Sequence, residues 1–173
     1  MRNICFDNYC PDWYNIAMSR SGRRFDSPQQ EAYLALWRTY DRLRAIEDEL
    51  FAGFDLTAQQ YNLLRLLKAS HPTAVPTLSL VSRLVSKAPD VTRMLDRLEH
   101  RGLIARTRST EDRRAVLVGI TDAGLAMLEK IAAPLRQCHE RQLGHMTPTD
   151  VEALISLLRK ARAPHEPDTS PWK

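Results

Sequence analysis

With 173 residues the chain can fold one domain with a sizeable core, or one domain plus an arm. Only 7% of it is aromatic and Gly and Pro are modest, a balance that leans helical and excludes disordered and fibrous classes. The formal charge of +4 is mildly basic, and the chain has neither a run of about 18 apolar residues nor the apolar stretch of a signal peptide, so a membrane span is excluded and a cytoplasmic location expected.

Residues 1–26 mix Phe6, Tyr9, Trp13 and Tyr14 with polar residues, without periodicity, and are expected to form an N-terminal arm. Ser27-Pro28-Gln29-Gln30 reads as a helix start: Ser caps, Pro suits the first helical position, and Gln completes a capping box. Tyr33, Leu36, Trp37, Tyr40, Leu43, Ile46 and Leu50 follow at helical spacing, with a stop near Gly53. Thr57 and Gln60 repeat the capping box before a second helix, which carries Tyr61, Leu63, Leu64, Leu66 and Leu67 to about Ser70. The stretch HPTAVPT, with its two prolines, predicts an extended loop. Thr77 is expected to cap a short helix with Leu80, Val81, Leu84 and Val85 on one face. SKAP breaks it, and Pro89 opens another helix with Val91, Met94, Leu95 and Leu98 inward. Gly102 occupies the position of a left-handed C-cap residue.

Two short helices joined by a tight turn make a helix-turn-helix unit. Leu103 to Arg108 and Val116 to Ile120 are extended runs around a loop from Ser109 to Arg113, which predicts a β-hairpin. A helix-turn-helix followed at once by a hairpin is the winged-helix arrangement. Thr121 caps a long helix with a stripe of Leu125, Leu128, Ile131, Leu135, Cys138 and Gln142, kinked at Pro134 and ended by Gly144. Thr147-Pro148 starts a last helix with Val151, Leu154, Ile155, Leu158 and Ala161 on one face. Three prolines between Pro164 and Lys173 predict a disordered tail. The expected fold is mostly α with a small β-wing. A winged helix-turn-helix at about 57–120 is flanked by N- and C-terminal dimerisation helices at about 27–52 and 122–163, because neither end of the chain makes a second core alone.

From Arg83 to Arg114 there are nine Lys/Arg and five Asp/Glu, an excess equal to that of the whole chain. One contiguous basic region in a near-neutral remainder is the footprint expected for nucleic acid, although charge alone fits a solvated surface equally well. On the helix after Pro89, the residues opposite the apolar side are Pro89, Arg93, Asp96 and His100, flanked by Thr92 and Arg97. The first part of such a helix approaches base edges in the major groove. Arg93 suits guanine O6 and N7; Thr92 suits a phosphate or a thymine methyl. Ser86 and Lys87, at the turn, are placed for phosphates. Asp90 and Asp96 would repel phosphate; they either accept from cytosine N4 or pair with Arg93 and Arg97 and orient them. The plainer alternative is an exposed helix face with Arg97 and Arg101 paired to nearby acids.

Enzymatic chemistry finds no support. There is no G-x-S-x-G, no phosphate-cradling Gly-rich loop and no His pair at metal spacing, and His139 reads as helix surface. No cofactor and no metal are expected. Cys5, Cys10 and Cys138 are too few, and odd in number, for a disulfide framework.

The segment VTRMLDRLEHRGLIARTRSTEDRRAVLVGITDAG, Val91 to Gly124, resembles the MarR family of bacterial transcription regulators. The motifs are T-R-x-L-D-R-L-E, R-G-L-I, D-R-R before the second wing strand, and I-T-x-x-G; the likeness runs from about Ser27 to Ala163. It implies a homodimeric winged helix joined through its terminal helices, bound to a pseudo-palindromic operator, usually as a repressor. Release by a small aromatic ligand or by cysteine oxidation is implied too. By motif, Thr92 and Arg93 match recognition-helix positions, and Asp112 and Arg114 match the wing's acid and arginine. The arginine enters the minor groove while the acid holds it, which leaves Arg113 for phosphate. Sequence geometry alone does not separate Arg113 from Arg114. The resemblance also implies a ligand pocket where the first two helices meet the winged helix, with Trp37, Tyr40 and Tyr61 as lining candidates; the plainer reading of all three is core or dimer contact. Two departures stand out. SKAPDVTR is one residue longer than the family's usual turn, and Cys5 and Cys10 lie upstream of the family's peroxide-sensing position. Cys138 reads as packing. The alternatives are a redox regulator using Cys5 and Cys10, and a winged helix that binds protein rather than DNA.

Overall fold

The structure, a computed structural model, describes residues 25–85, 90–109, 112, 115–168 and 170. The described elements are α1 (Pro28–Ala52), α2 (Ala58–Ser70), β1 (Val75–Pro76), α3 (Thr77–Val81), α4 (Val91–His100), β2 (Ile104–Arg108), β3 (Val116–Ile120), α5 (Asp122–Leu143) and α6 (Pro148–Arg162). A 3-10 turn, Ala163–His165, follows. Among the described residues no helix is long and apolar enough to cross a membrane. The arm residues 1–24, with Cys5 and Cys10, lie outside the described part.

The chain divides into two units, residues 1–44 and 45–173, and the division falls within α1. In the first unit Ser27 Oγ accepts from the Gln30 N–H at 3.1 Å. Gln30 Oε1 reaches past Ser27 to the Asp26 N–H at 2.8 Å, so the expected capping box closes one residue upstream. The helix then exposes Tyr33, Leu36, Trp37 and Tyr40.

The second unit holds the core. Phe51 from the end of α1 joins Leu63, Leu64 and Leu67 of α2, Leu80 of α3, and Met94, Leu95 and Leu98 of α4. Ile104, Val118 and Ile120 enter from the strands, and Leu128, Ile131, Leu135 and Cys138 from α5. Apart from Phe51, which lies outside the predicted α1 stripe, the helical members are apolar positions of the predicted stripes, so periodicity selects most of the core. Thr57 and Gln60 form their capping box reciprocally, which satisfies the buried Gln60 side chain.

The strands form an antiparallel sheet in the order β1-β3-β2. The wing pairs from Ile104↔Ile120 to Arg108↔Val116. The segment expected as a plain extended loop also pairs, with Val75↔Val118 and Pro76↔Leu117. Pro76 is tolerated because β1 is an edge strand and a lost N–H costs nothing on the open side. Thr77 does not cap α3: Pro76 holds the cap position, and the Thr77 hydroxyl donates to the Val116 carbonyl at 3.2 Å. The helix ends at Val81, short of Val85. The Ser82 hydroxyl there donates back to Ser79 O at 3.0 Å; beyond it Leu84 still joins Leu80 in the core, while Val81 and Val85, expected on the same inward face, are exposed.

Gly102 has φ +67°, the left-handed conformation its position predicted. Its N–H donates to Glu99 O at 2.8 Å and that of Leu103 to Leu98 O at 3.0 Å, so the last turn of α4 is closed by a Schellman motif. Pro134 lies inside α5, which continues to Leu143. Past α6, where sequence predicts disorder, Arg162 pairs with Glu166 at 3.3 Å and the Ser170 hydroxyl donates to Glu166 at 2.6 Å.

Candidate nucleic-acid interface

The first turn of α4 carries Thr92 and Arg93, both exposed. Asp90, not Pro89, precedes it as the N-cap. One carboxylate oxygen of Asp90 accepts from the Arg93 N–H at 3.0 Å, and the other pairs with Arg93 Nε at 3.0 Å. The acid suits the positive end of the helix and holds the arginine at its root, so of the two roles open to Asp90 the structure contains the pairing one.

Asp96 and Arg97 are sequence neighbours and therefore about 100° apart around the helix. Asp96 turns to the wing, where its Oδ1 meets Arg106 Nη1 at 2.7 Å. Of the two roles open to it, pairing with Arg93 and Arg97 is absent, because Arg106 takes it. Glu99, one turn further, accepts from Arg106 Nε at 2.9 Å and from the Arg106 main-chain N–H at 3.2 Å; Nη2 donates to it as well. The Glu99 carboxyl is held below its usual range by hydrogen bonding from Arg106, and the guanidinium is raised in return. Arg106 falls within the basic segment, yet its side chain is 27% exposed and turned to these two acids. It lies two residues from buried Ile104 on the same side of β2, and that period-2 placement was the signal that it needed an acid partner. Arg101 is also engaged: its guanidinium donates to the carbonyls of Phe54 (3.1 Å) and Asp55, and lies 3.8 Å from the Asp55 carboxylate.

Arg83, Arg97 and Arg108 form no ion pair with a described residue. Arg97 borders a cleft of about 670 Å³ in the second unit, together with Asp55, Leu56, Thr57, Gln60 and His100. At the wing tip, Asp112 is exposed; its N–H donates to Ser109 Oγ at 3.2 Å and its carbonyl accepts from Ala115 at 2.9 Å. Ser109 N–H bonds to Ala115 O at 3.0 Å, so the loop closes two residues later than the predicted Arg113. Ser86, Lys87, Arg113 and Arg114 lie outside the described residues.

Tyr61 is half-buried, its ring 4.9 Å from that of Phe51, and its hydroxyl accepts from Arg65 at 3.2 Å. Trp37 and Tyr40 belong to the exposed face of the first unit. Cys138 is buried in α5, and burial pushes its thiol pKa up, with the charge of Glu47 adding to the shift. Among the described residues no cluster of His, Cys, Asp and Glu is arranged to hold a metal.

The MarR family model matches residues 56–116. A solved MarR transcription factor from Planctomyces limnophilus is 56% identical, with 78% of this chain and 97% of that one covered and a TM-score of 0.64. BpsR from Bordetella bronchiseptica, whose DNA binding is regulated by 6-hydroxynicotinic acid, is 29% identical over 76% of this chain and 98% of its own, with a TM-score of 0.67. The HTH-type transcriptional repressor MdtR of Bacillus subtilis is 27% identical over 143 residues, 83% of this chain and 91% of that protein.

Proposed function

Because this chain belongs to the MarR family of DNA-binding transcription regulators, which are not enzymes, we propose that it is a cytoplasmic, homodimeric repressor of a pseudo-palindromic operator. The observation that carries the reading is the first turn of α4, where Asp90 caps the helix and fixes Arg93 beside Thr92 on an exposed face. In this reading Thr92 and Arg93 contact base edges, Arg97 flanks them, and Ser86 and Lys87 take phosphates from the turn. The hairpin carries Asp112, Arg113 and Arg114 toward the neighbouring minor groove, with Arg114 inserted and Asp112 bracing it.

The winged helix spans about 57–120, and the helices at about 27–52 and 122–163 serve dimerisation. Supporting this, α6 has no buried residue in the single chain, and α1 exposes Tyr33, Leu36, Trp37 and Tyr40. Each of these faces needs a cover, and a second copy supplies one. A small aromatic effector releases the DNA; the regulation of BpsR by 6-hydroxynicotinic acid favours that class, and Trp37, Tyr40 and Tyr61 are the candidates to meet it. Selection from a random duplex pool tests the proposal. An enriched inverted repeat with half-sites about one helical turn apart is expected; no enrichment at low or moderate salt would leave a protein-binding winged helix instead.

A further inference from the structure

The residues assigned to DNA lie on two separate elements, α4 and the β2–β3 hairpin, and reading both grooves at once requires a fixed angle between them. We propose that Arg106 is the positioning residue that sets this angle, by latching the wing to the recognition helix through Asp96 and Glu99. The inference rests on the DNA-binding reading above and adds to it a residue that touches no DNA.

Three features carry it. First, β2 is an edge strand, so alternate N–H groups on its outer side have no strand partner. Arg106 offers one of these, and Glu99 accepts it at 3.2 Å while also accepting from the guanidinium of the same residue. One carboxylate therefore fixes both the backbone and the side chain of the wing strand. Second, Arg106 Nη1 reaches Asp96 Oδ1 at 2.7 Å, one helical turn from Glu99, so the planar guanidinium bridges two points along α4. A two-point attachment restrains rotation of the strand about the helix, as a single ion pair would not. Third, the Arg106 side chain is only 27% exposed and both of its acids face it, so its charge is already matched and is not directed at phosphate.

The latch makes predictions that run against simple electrostatics. Removing an acid from a DNA-binding surface relieves repulsion and should tighten binding. If Glu99 holds the wing, removing it should weaken binding to the specific site instead. The experiment measures affinity of wild type, Glu99→Ala, Arg106→Gln and Arg106→Lys for a 30-bp duplex bearing the sequence that wild type selects, and for a scrambled duplex, each across a salt series, with Tm recorded. Both Glu99→Ala and Arg106→Gln are expected to lose about tenfold on the selected duplex and little on the scrambled one. Arg106→Lys, which keeps the charge but lacks the fork, should fall between. The slope of log K against log salt should stay that of wild type, whereas loss of a phosphate contact would lower it by about 0.9. Arg106→Gln with a reduced slope, or Glu99→Ala binding more tightly than wild type, would overturn the latch. Equal losses on both duplexes with a lowered Tm would mark a merely structural role and overturn it too. If wild type selects no sequence, the DNA reading fails first, and the latch with it.

Discussion

Thr121 donates its hydroxyl to the carbonyl of Gly102 at 2.6 Å. The same residue accepts from the Gly124 N–H at 3.2 Å and donates its own N–H to Leu103 O at 3.2 Å. One side chain thus ties the end of α4 to the start of α5 and closes the base of the wing between them. The motifs R-G-L-I and I-T-x-x-G are thus two halves of one junction in this chain.

That junction is tight at Gly124. A Cβ there would fall 2.2 Å from the Leu103 carbonyl oxygen and 2.6 Å from Ile120 Cγ1, and the first of these is backbone that cannot swing aside. Gly124→Ala is expected to destabilise the fold by about 1–3 kcal/mol despite its helical position, where Ala is ordinarily favoured. Gly102→Ala has open space around it but must hold φ +67°, so its cost is pure backbone strain, about 1 kcal/mol. Urea midpoints of both variants check this; a Gly124→Ala protein as stable as wild type would refute the close approach.

Two carboxylates should give opposite pH signatures. Glu99 is held below its usual value of 4.5, chiefly by hydrogen bonding from Arg106. Its folded form favours the ionised state, so its contribution is present above pH 4.5 and is lost as pH falls through the lowered value. Glu47 is raised above 4.5, first by burial, against the lowering influence of His139. It favours the protonated state, so stability falls as pH rises from 4.5 through the raised value. Glu99→Gln should therefore lower Tm at pH 7, and by progressively less as pH falls below 4.5. Glu47→Gln should raise Tm at pH 7 and likewise converge with wild type in acid. Thermal melts from pH 7 down into acid read both signs, and a Glu47→Gln protein less stable at pH 7 would contradict the burial argument.

The core and the helix-turn-helix were legible because both follow from periodicity and punctuation. Leu63, Leu64 and Leu67, and Met94, Leu95 and Leu98, mark their buried faces by spacing alone, and Gly102 marks its own turn. What sequence left hidden was pairing across the fold. For Asp96 the sequence offers a cytosine or α4's own arginines, which are near in the chain, while its partner, Arg106, comes from the wing strand. The strand at Val75–Pro76 was hidden for a related reason. Two residues carry no period, and a proline reads as a break until its neighbour on β3 is known. Thr77, expected as a cap, is drawn instead to a carbonyl 39 positions away.

The exposed side of α6 tests the dimer. Ile155 is 43% exposed in the single chain yet belongs to the apolar stripe of Val151, Leu154 and Leu158. Burying a carboxylate in an apolar interface without a partner costs several kcal/mol, so Ile155→Glu should convert a dimer to a monomer at micromolar concentration. Sedimentation velocity reads the mass directly. Circular dichroism should remain that of wild type, because α6 contributes no buried residue to the second unit's core.

Cys138 should be chemically silent. Only the thiolate reacts, and burial both shields this sulfur and pushes its pKa up. Titration with a thiol reagent at pH 7 should find Cys138 slow in the folded protein and fast in denaturant. A Cys138→Ser variant should keep the wild-type response to peroxide, whatever that response is. Prompt folded-state modification of Cys138 would place it at an accessible surface and contradict its packing.

The wing arginines separate by mechanism. An arginine in a narrow minor groove reads the groove's width and potential, so its loss should weaken binding most where A·T pairs flank the half-site. An arginine on phosphate contributes to every sequence alike and to the salt slope. Arg114→Ala is therefore expected to cost about 1–3 kcal/mol on the selected duplex and to flatten the preference at flanking A·T positions. Arg113→Ala should weaken selected and scrambled duplexes equally and lower the salt slope by about 0.9. Asp112→Ala should reproduce part of the Arg114→Ala defect, even though it removes a negative charge near DNA, if the acid braces that arginine. Selection experiments on the three variants, read beside their salt series, decide the assignment. An exchange of the two arginine profiles would move the minor-groove role to Arg113.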